Sequence, residues 1–287
     1  MINRLCIIGV GLIGGSLARD LRRAGLVGEV VGTSRNASNL KRAVELGVID
    51  RYDTNIAVAL RGADMVVVAV PLGAMADVFL AIKGHLDDDA VVTDVGSAKG
   101  SVLSAAAEAF GGVPDFLVPA HPIAGTEHSG VDASFEGLFR NRMVIITPAP
   151  ETRADALEKV RSMWQATGAT TIEMCASHHD EVLAATSHLP HMLAYTLVDV
   201  LGRMEERVEI FRYAAGGFRD FTRIASSDPQ MWHDICFANR DALLHALEHF
   251  RDDLDGAIEA IRRGDSEAIK SLFTRAKKLR DEYTKNG

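Results

Sequence analysis

The sequence predicts an α/β fold over residues 1–174, a mostly parallel sheet covered by helices, followed by an all-helical segment over residues 175–287. Three observations predict it. Short β-branched apolar runs bounded by Gly, Asp or Pro alternate with stretches of helical spacing, the pattern of parallel strands buried on both faces. A glycine-rich turn joins the first such run to the first helical stretch. After about residue 175 the alternation stops and only helical spacing follows.

The elements follow in order. LCIIG, EVVGT, MVVVAV, AVVTDV and FLVPA read as strands. LIGGSLARDLRRAG, NASNLKRAVELG and GAMADVFLAIKG lie between them with apolar residues at helical spacing. MVIITPA (143–149) and TTIEM (170–174) add two strands around a helix over 153–167. In the second part Val182, Leu189, Leu193, Leu197 and Val200 mark a helix that Pro190 is expected to interrupt. Asp228–Pro229 supplies a capping residue and a first-turn proline to a helix expected to run through HDICFANRDALLHALEHF. Asp265 is placed to cap a last helix.

Composition narrows the function classes. A chain of 287 residues with 47% hydrophobic and 24% charged residues has the material for two soluble units without disulfide or metal staples. No apolar run reaches the roughly 20 residues of a membrane span. MINRLCIIGV enters a strand at once, without a signal-peptide layout. Cys6, Cys175 and Cys236 are odd in number and far apart, which is read as reduced core thiols in a cytoplasmic protein. A net charge of −8 disfavours nucleic acid and anionic membrane as partners. An anionic small molecule would need local cations.

GVGLIG, Gly9 to Gly14, matches G-x-G-x-x-G between a strand and a helix. Gly9 permits the tight turn, Gly11 lets backbone approach a pyrophosphate, and Gly14 lets helix and strand pack closely. Leu12 and Ile13 open the helix whose amides face the anion. This context favours a Rossmann-type dinucleotide-binding domain over a structural glycine turn, with Val70, which ends MVVVAV, and Pro71 after it also assigned to the cofactor. NAD is favoured by an acidic residue about 20 residues past the motif. Here GTSRN offers Ser34 and Arg35 instead, which favours NADP, or use of both, over NAD alone. Alternatively, Arg35 is a solvated loop residue and NAD still binds.

Ligands of such sheets bind beyond the carboxyl ends of the strands. DVGSAKG (94–100) presents Ser97 and Lys99 there, and HPIAGTEHSG (121–130) follows FLVPA with His121 at the mouth of the strand. His121 is either a satisfied core histidine or a base that takes a hydroxyl proton while hydride leaves the same carbon. His178, His179, His188 and His191 cluster in sequence, but no Cys or carboxylate completes a metal set, so no metal is assigned. His245 and His249, four apart, read as helix-surface residues. In GGFRDFTRIASSDPQMW (216–232), Arg219 or Arg223 could hold a substrate carboxylate or form a structural ion pair.

GVGLIGGSLA, DVGSAKG, HPIAGTEHSG, SHLPH and GGFRDFTRIASSDPQMW together resemble the prephenate/arogenate (cyclohexadienyl) dehydrogenase family of tyrosine biosynthesis, over essentially the whole chain. The resemblance implies oxidative decarboxylation of a cyclohexadienol carboxylate with hydride transfer to NAD or NADP. It implies that His121 is the catalytic histidine and that Ser97 bonds near the ring hydroxyl and the nicotinamide. Arg223 is implied as a substrate-binding arginine, with His191 and Gly217 at the substrate side chain and Thr126 and Glu127 at the pocket mouth. Trp232 is implied to reach the site of the other subunit of a homodimer built by the helical domain. Ending at Gly287, the chain is expected to stand alone, without fused mutase or regulatory domains, so that tyrosine feedback acts at the active site if at all. Two rivals are a β-hydroxyacid dehydrogenase, whose G-x-x-x-K-x-x-x-N helix is not found after residue 150, and a dinucleotide-sensing protein without turnover.

Overall fold

A computed structural model of the protein describes residues 1–126 and 128–286. Two compact units are distinguished, Met1–Arg240 and Asp241–Gly287. In the first unit the chain runs β1 (Ile2–Ile8), α1 (Leu12–Arg23), β2 (Val27–Thr33), α2 (Ala37–Glu45), β3 (Arg51–Tyr52), α3 (Ile56–Ala59), β4 (Met65–Val68), α4 (Met75–Ile82), β5 (Val91–Asp94), α5 (Lys99–Phe110) and β6 (Leu117–Val118). These strands form one parallel sheet in the order β3-β2-β1-β4-β5-β6. The order reverses at β1, so the crevice beyond the ends of β1 and β4 is the expected ligand position. Every residue of β4 and β5 is buried, because apolar helices cover both faces.

A second, three-stranded sheet follows: β7 (Ala120–Pro122), β8 (Met143–Ile146), α6 (Ala154–Ala166) and β9 (Thr170–Glu173), with β7 antiparallel and β9 parallel to β8. FLVPA is thus not one strand. Leu117 and Val118 pair with β5, Pro119 has no N–H to continue that ladder, and Ala120 begins β7 in the other sheet. His121 lies inside β7, opposite Ile145, and not in the turn after a parallel strand.

The helices α7 (Ala176–Leu183), α8 (Leu189–Gly202), α9 (Arg207–Arg212), α10 (Gly216–Thr222) and α11 (Pro229–Ala238) complete the first unit. Pro190 does not interrupt the helical path. A π turn over Ala184–His188 joins α7 to α8, and Pro190 sits in the first turn of α8, where its missing N–H costs little. Asp228 caps α11 by accepting from Met231 N at 2.9 Å. The expected long helix is broken at Asn239 (φ −116°, ψ 39°), and α12 (Arg240–Arg263) starts after it. In the second unit Asp265 accepts from Ala268 N at 2.9 Å and caps α13 (Ser266–Asn286). Cys6 is buried, its thiol pushed up to about 12 by burial, whereas Cys175 is exposed just before α7 and is not a core thiol. Among the described residues no helix is long and apolar enough to cross a membrane.

Candidate active site

The glycine loop has the geometry its spacing demands. Gly9 adopts φ +95°, and a Cβ there would lie 2.5 Å from Ala69 O. A Cβ on Gly14 would lie 2.8 Å from Gly9 O and from Ile7 Cγ2, so strand and helix close only on glycine. Nothing lies within 4 Å of a Cβ on Gly11, which leaves open space at the start of α1. A cavity of about 590 Å³ opens at this end of the sheet, lined by Gly9, Gly11, Ser34, Arg35, Val70 and Pro71 among others. A crevice of this size beside unbonded first-turn amides fits a dinucleotide. Leu12 and Ile13 pack against the core and do not line the cavity; only their backbone can serve an anion. Asn36 and Asn39, which sequence reasoning missed, also line the cavity: Asn36 Oδ1 accepts from Asn39 N, and Asn39 Nδ2 donates to Val10 O at 2.8 Å.

Beyond β5 the sequence DVGSAKG splits in role. Ser97 is half-buried and its hydroxyl makes no hydrogen bond among the described residues. Lys99 is not presented to a ligand. It is fully buried, its Nζ donating to Asp94 Oδ2 at 2.6 Å and to Ala120 O at 2.8 Å. The ammonium therefore holds the residue next to His121.

His121 belongs to a chain of hydrogen bonds. Its Nδ1 lies 2.9 Å from His179 Nε2, and His179 Nδ1 lies 2.8 Å from Asp180 Oδ1. Asp180 also accepts from the backbone amides of Lys99 and Gly100, each at 2.8 Å. Burial alone would raise Asp180; the bonds from His179 and from those amides outweigh it and hold the carboxyl below its ordinary value. An ionised Asp180 can only accept, so His179 donates through Nδ1, and in a neutral ring Nε2 is then the acceptor. His121 must then donate through Nδ1, which leaves the lone pair on its Nε2. Burial, reinforced by the Lys99 ammonium, holds His121 well below the ordinary histidine pKa, so it stays neutral. The arrangement is that of a general base in a fixed tautomer.

Asn239 closes the chain from behind: its Nδ2 donates to Asp180 O at 2.8 Å and lies 3.1 Å from His188 Nδ1. His188 is buried and lowered to about 4, chiefly by burial. His191 Nδ1 bonds Ser187 O at 2.8 Å, and its ring stacks on Trp232 at 3.6 Å. The Asp228 cap starts α11 so that Trp232 stacks on His191 of its own chain. Arg223 is exposed, without an ion pair among the described residues, and its charge acts on His191. Gly217 sits exposed in α10, with nothing within 4 Å of a Cβ built on it. Thr126 is exposed and its Oγ1 accepts from His128 N at 3.2 Å; Glu127 lies outside the described residues. Among the described residues no His, Cys, Asp and Glu group has the form of a metal site.

A family model described as "Prephenate dehydrogenase, nucleotide-binding domain" matches residues 17–173, and one described as "Prephenate dehydrogenase, dimerization domain" matches residues 175–275. The chain belongs to the prephenate dehydrogenase family. The cyclohexadienyl dehydrogenase of Zymomonas mobilis is 39% identical, over 98% of this chain and 96% of that protein. The prephenate dehydrogenase of Bacillus subtilis is 34% identical, over 98% of this chain and 76% of that protein. In shape the chain is similar to the prephenate dehydrogenase of Aquifex aeolicus solved with hydroxyphenyl propionate and NAD+, at TM-score 0.92 and 37% identity, each chain being covered to 98%. It is also similar to the arogenate dehydrogenase of Synechocystis, at TM-score 0.82 and 29% identity, covering 98% of this chain and 99% of that one. Like these prephenate dehydrogenase relatives, the protein is an oxidoreductase with a Rossmann-type domain ahead of a helical one.

Proposed function

We propose that the protein oxidatively decarboxylates prephenate, arogenate or both, with His121 as the base. The observation that carries the assignment of the base is the His121–His179–Asp180 chain, which fixes the lone pair on His121 Nε2. When bound, NAD or NADP supplies the hydride acceptor for the ring carbinol carbon. His121 Nε2 takes the hydroxyl proton as hydride leaves that carbon. The C–CO₂ bond breaks, carbon dioxide departs, and its electron pair completes the aromatic ring. The unpartnered Ser97 hydroxyl is free to bond the reacting oxygen, and the unpaired Arg223 guanidinium to hold a substrate carboxylate. His191 and Trp232 offer a flat apolar wall for the rest of the substrate; Gly217, Thr126 and Glu127 keep the peripheral roles given by resemblance.

Gly9 and Gly11 would hold the pyrophosphate, with Gly14 keeping helix and strand close and Val70 and Pro71 lining the same cavity. Ser34 and Arg35 line the cavity, and Arg35 has no ion-pair partner among the described residues, which supports NADP over NAD. The match of residues 175–275 to a dimerization domain supports a homodimer whose helical domain begins at residue 175. The cysteine usage supports a cytoplasmic location.

Prephenate and arogenate, each offered with NAD and with NADP, form the deciding assay, followed by nicotinamide absorbance. Turnover is expected with at least one substrate, and with NADP at least as readily as with NAD. Silence in all four combinations overturns the activity, and a strong preference for NAD overturns the role of Ser34 and Arg35.

A further inference from the structure

The turn formed by Leu72–Ala74 stands between β4 and α4, and its neighbours Pro71 and Ala74 line the cofactor cavity. Gly73 in this turn donates its N–H to Asp234 Oδ2 on α11, 161 residues away, at 3.3 Å. A Cβ on Gly73 would meet that oxygen at 2.8 Å, so a side chain there would have to push the carboxylate aside. Asp234 is held from its own helix as well: Oδ1 accepts from Gln230 Nε2 at 2.8 Å and lies 3.1 Å from His233 Nδ1. Only 13% of its side chain is exposed. The hydrogen bond from His233, chiefly, keeps the carboxyl below its ordinary value, so it meets Gly73 as an ionised acceptor.

The same helix touches the substrate side at two other points. Trp232, two residues before Asp234, stacks on His191. Asn239, which ends α11, bonds Asp180 O and His188. A ten-residue helix spans about 15 Å and moves as one body. We propose that Asp234 is a positioning residue that couples the cofactor cavity to the substrate wall, so that occupancy of one sets the affinity of the other. The inference rests on the assignment of the cofactor cavity and the substrate wall given under the proposed function. The cofactor seats the 72–74 turn, the turn seats α11 through Asp234, and α11 seats the ring of His191.

The test is a linkage measurement. Calorimetry gives the affinity of the full-length protein for hydroxyphenyl propionate, alone and with saturating NAD or NADP, whichever supports turnover. Wild type is expected to bind it more tightly with cofactor by a factor in the usual range of about 5–150. Asp234→Ala is expected to bring that factor near one while leaving the affinity without cofactor little changed. A merely structural residue would weaken both affinities together and leave their ratio intact. Gly73→Ala attacks the same contact from the other side and should also lose the coupling. Because Asp234 supplies every close neighbour of the added methyl, the double variant should match Asp234→Ala alone. A wild-type factor of one overturns the proposal, as does full coupling in either single variant. Absence of turnover with prephenate and with arogenate would instead overturn the underlying assignment, and the two failures are told apart by the activity assay.

Discussion

At the scale of single residues, the chemistry turns on which nitrogen of His121 holds the proton. Replacing His121 by Asn removes the base and is expected to lower kcat by about 10²–10⁴-fold while cofactor binding, followed by fluorescence titration, is retained. Asp180→Asn acts two bonds away. The new amide faces the N–H groups of Lys99 and Gly100, and the tautomer of His179 is no longer imposed. A fall in kcat of about 10²-fold or more is expected, with the Kd for cofactor unchanged. His121 and the three glycines are legible in the sequence because each sits in a short motif whose spacing carries its chemistry. His179 and Asp180 are not. They contact His121 and Lys99 across 58 and 81 residues, and nothing local to HHD marks it as the support of a distant base. A histidine and an aspartate opening a helix are as often solvated as buried, and only the packing of α7 on α5 decides.

At the scale of elements, sequence periodicity locates β1, β2, β4, β5, α1 and α2 because continuous apolar strands and amphipathic helices write their burial directly into residue order. It fails where a tertiary contact breaks a local run. FLVPAHP is apolar throughout and reads as one strand, yet Pro119 passes the chain from one sheet to the other. Pro190 reads as a helix breaker, yet the π turn takes up the missing N–H and keeps His188 and His191 on one continuous helical path. Lys99 reads as a solvent-facing residue of a polar turn, yet it anchors β5 to β7 through Asp94 and Ala120 O. Lys99→Met should therefore leave Asp94 buried without its counter-charge, held only by the amides of Gly96 and Ala120. The expected loss is about 3–5 kcal/mol in chemical denaturation, far more than a surface lysine gives. A loss below about 1 kcal/mol would mean that water reaches the pair.

At the scale of the whole molecule, the buried histidines link stability to acidity. His121 and His188 are held below their ordinary values by burial, so the unfolded chain takes up protons that the folded chain refuses. Their stabilisation is complete above the ordinary value of 6.5 and is lost as the pH falls towards the folded value, about 4 for His188. For His188 alone the loss between pH 7 and pH 5 is about 2 kcal/mol, so Tm should drop over that interval and hold steady from pH 7 to 8. The chain from Lys99 and Gly100 through Asp180 to Asn239 has a temporal consequence too. Its bonds close loops of 81, 80 and 59 residues, a closure cost that local helices do not bear. Local helices and the early strand pairs can assemble without them; the base cannot be oriented until they close. In refolding from denaturant, far-ultraviolet ellipticity should recover ahead of catalytic competence, and the delay should lengthen in Asn239→Ala.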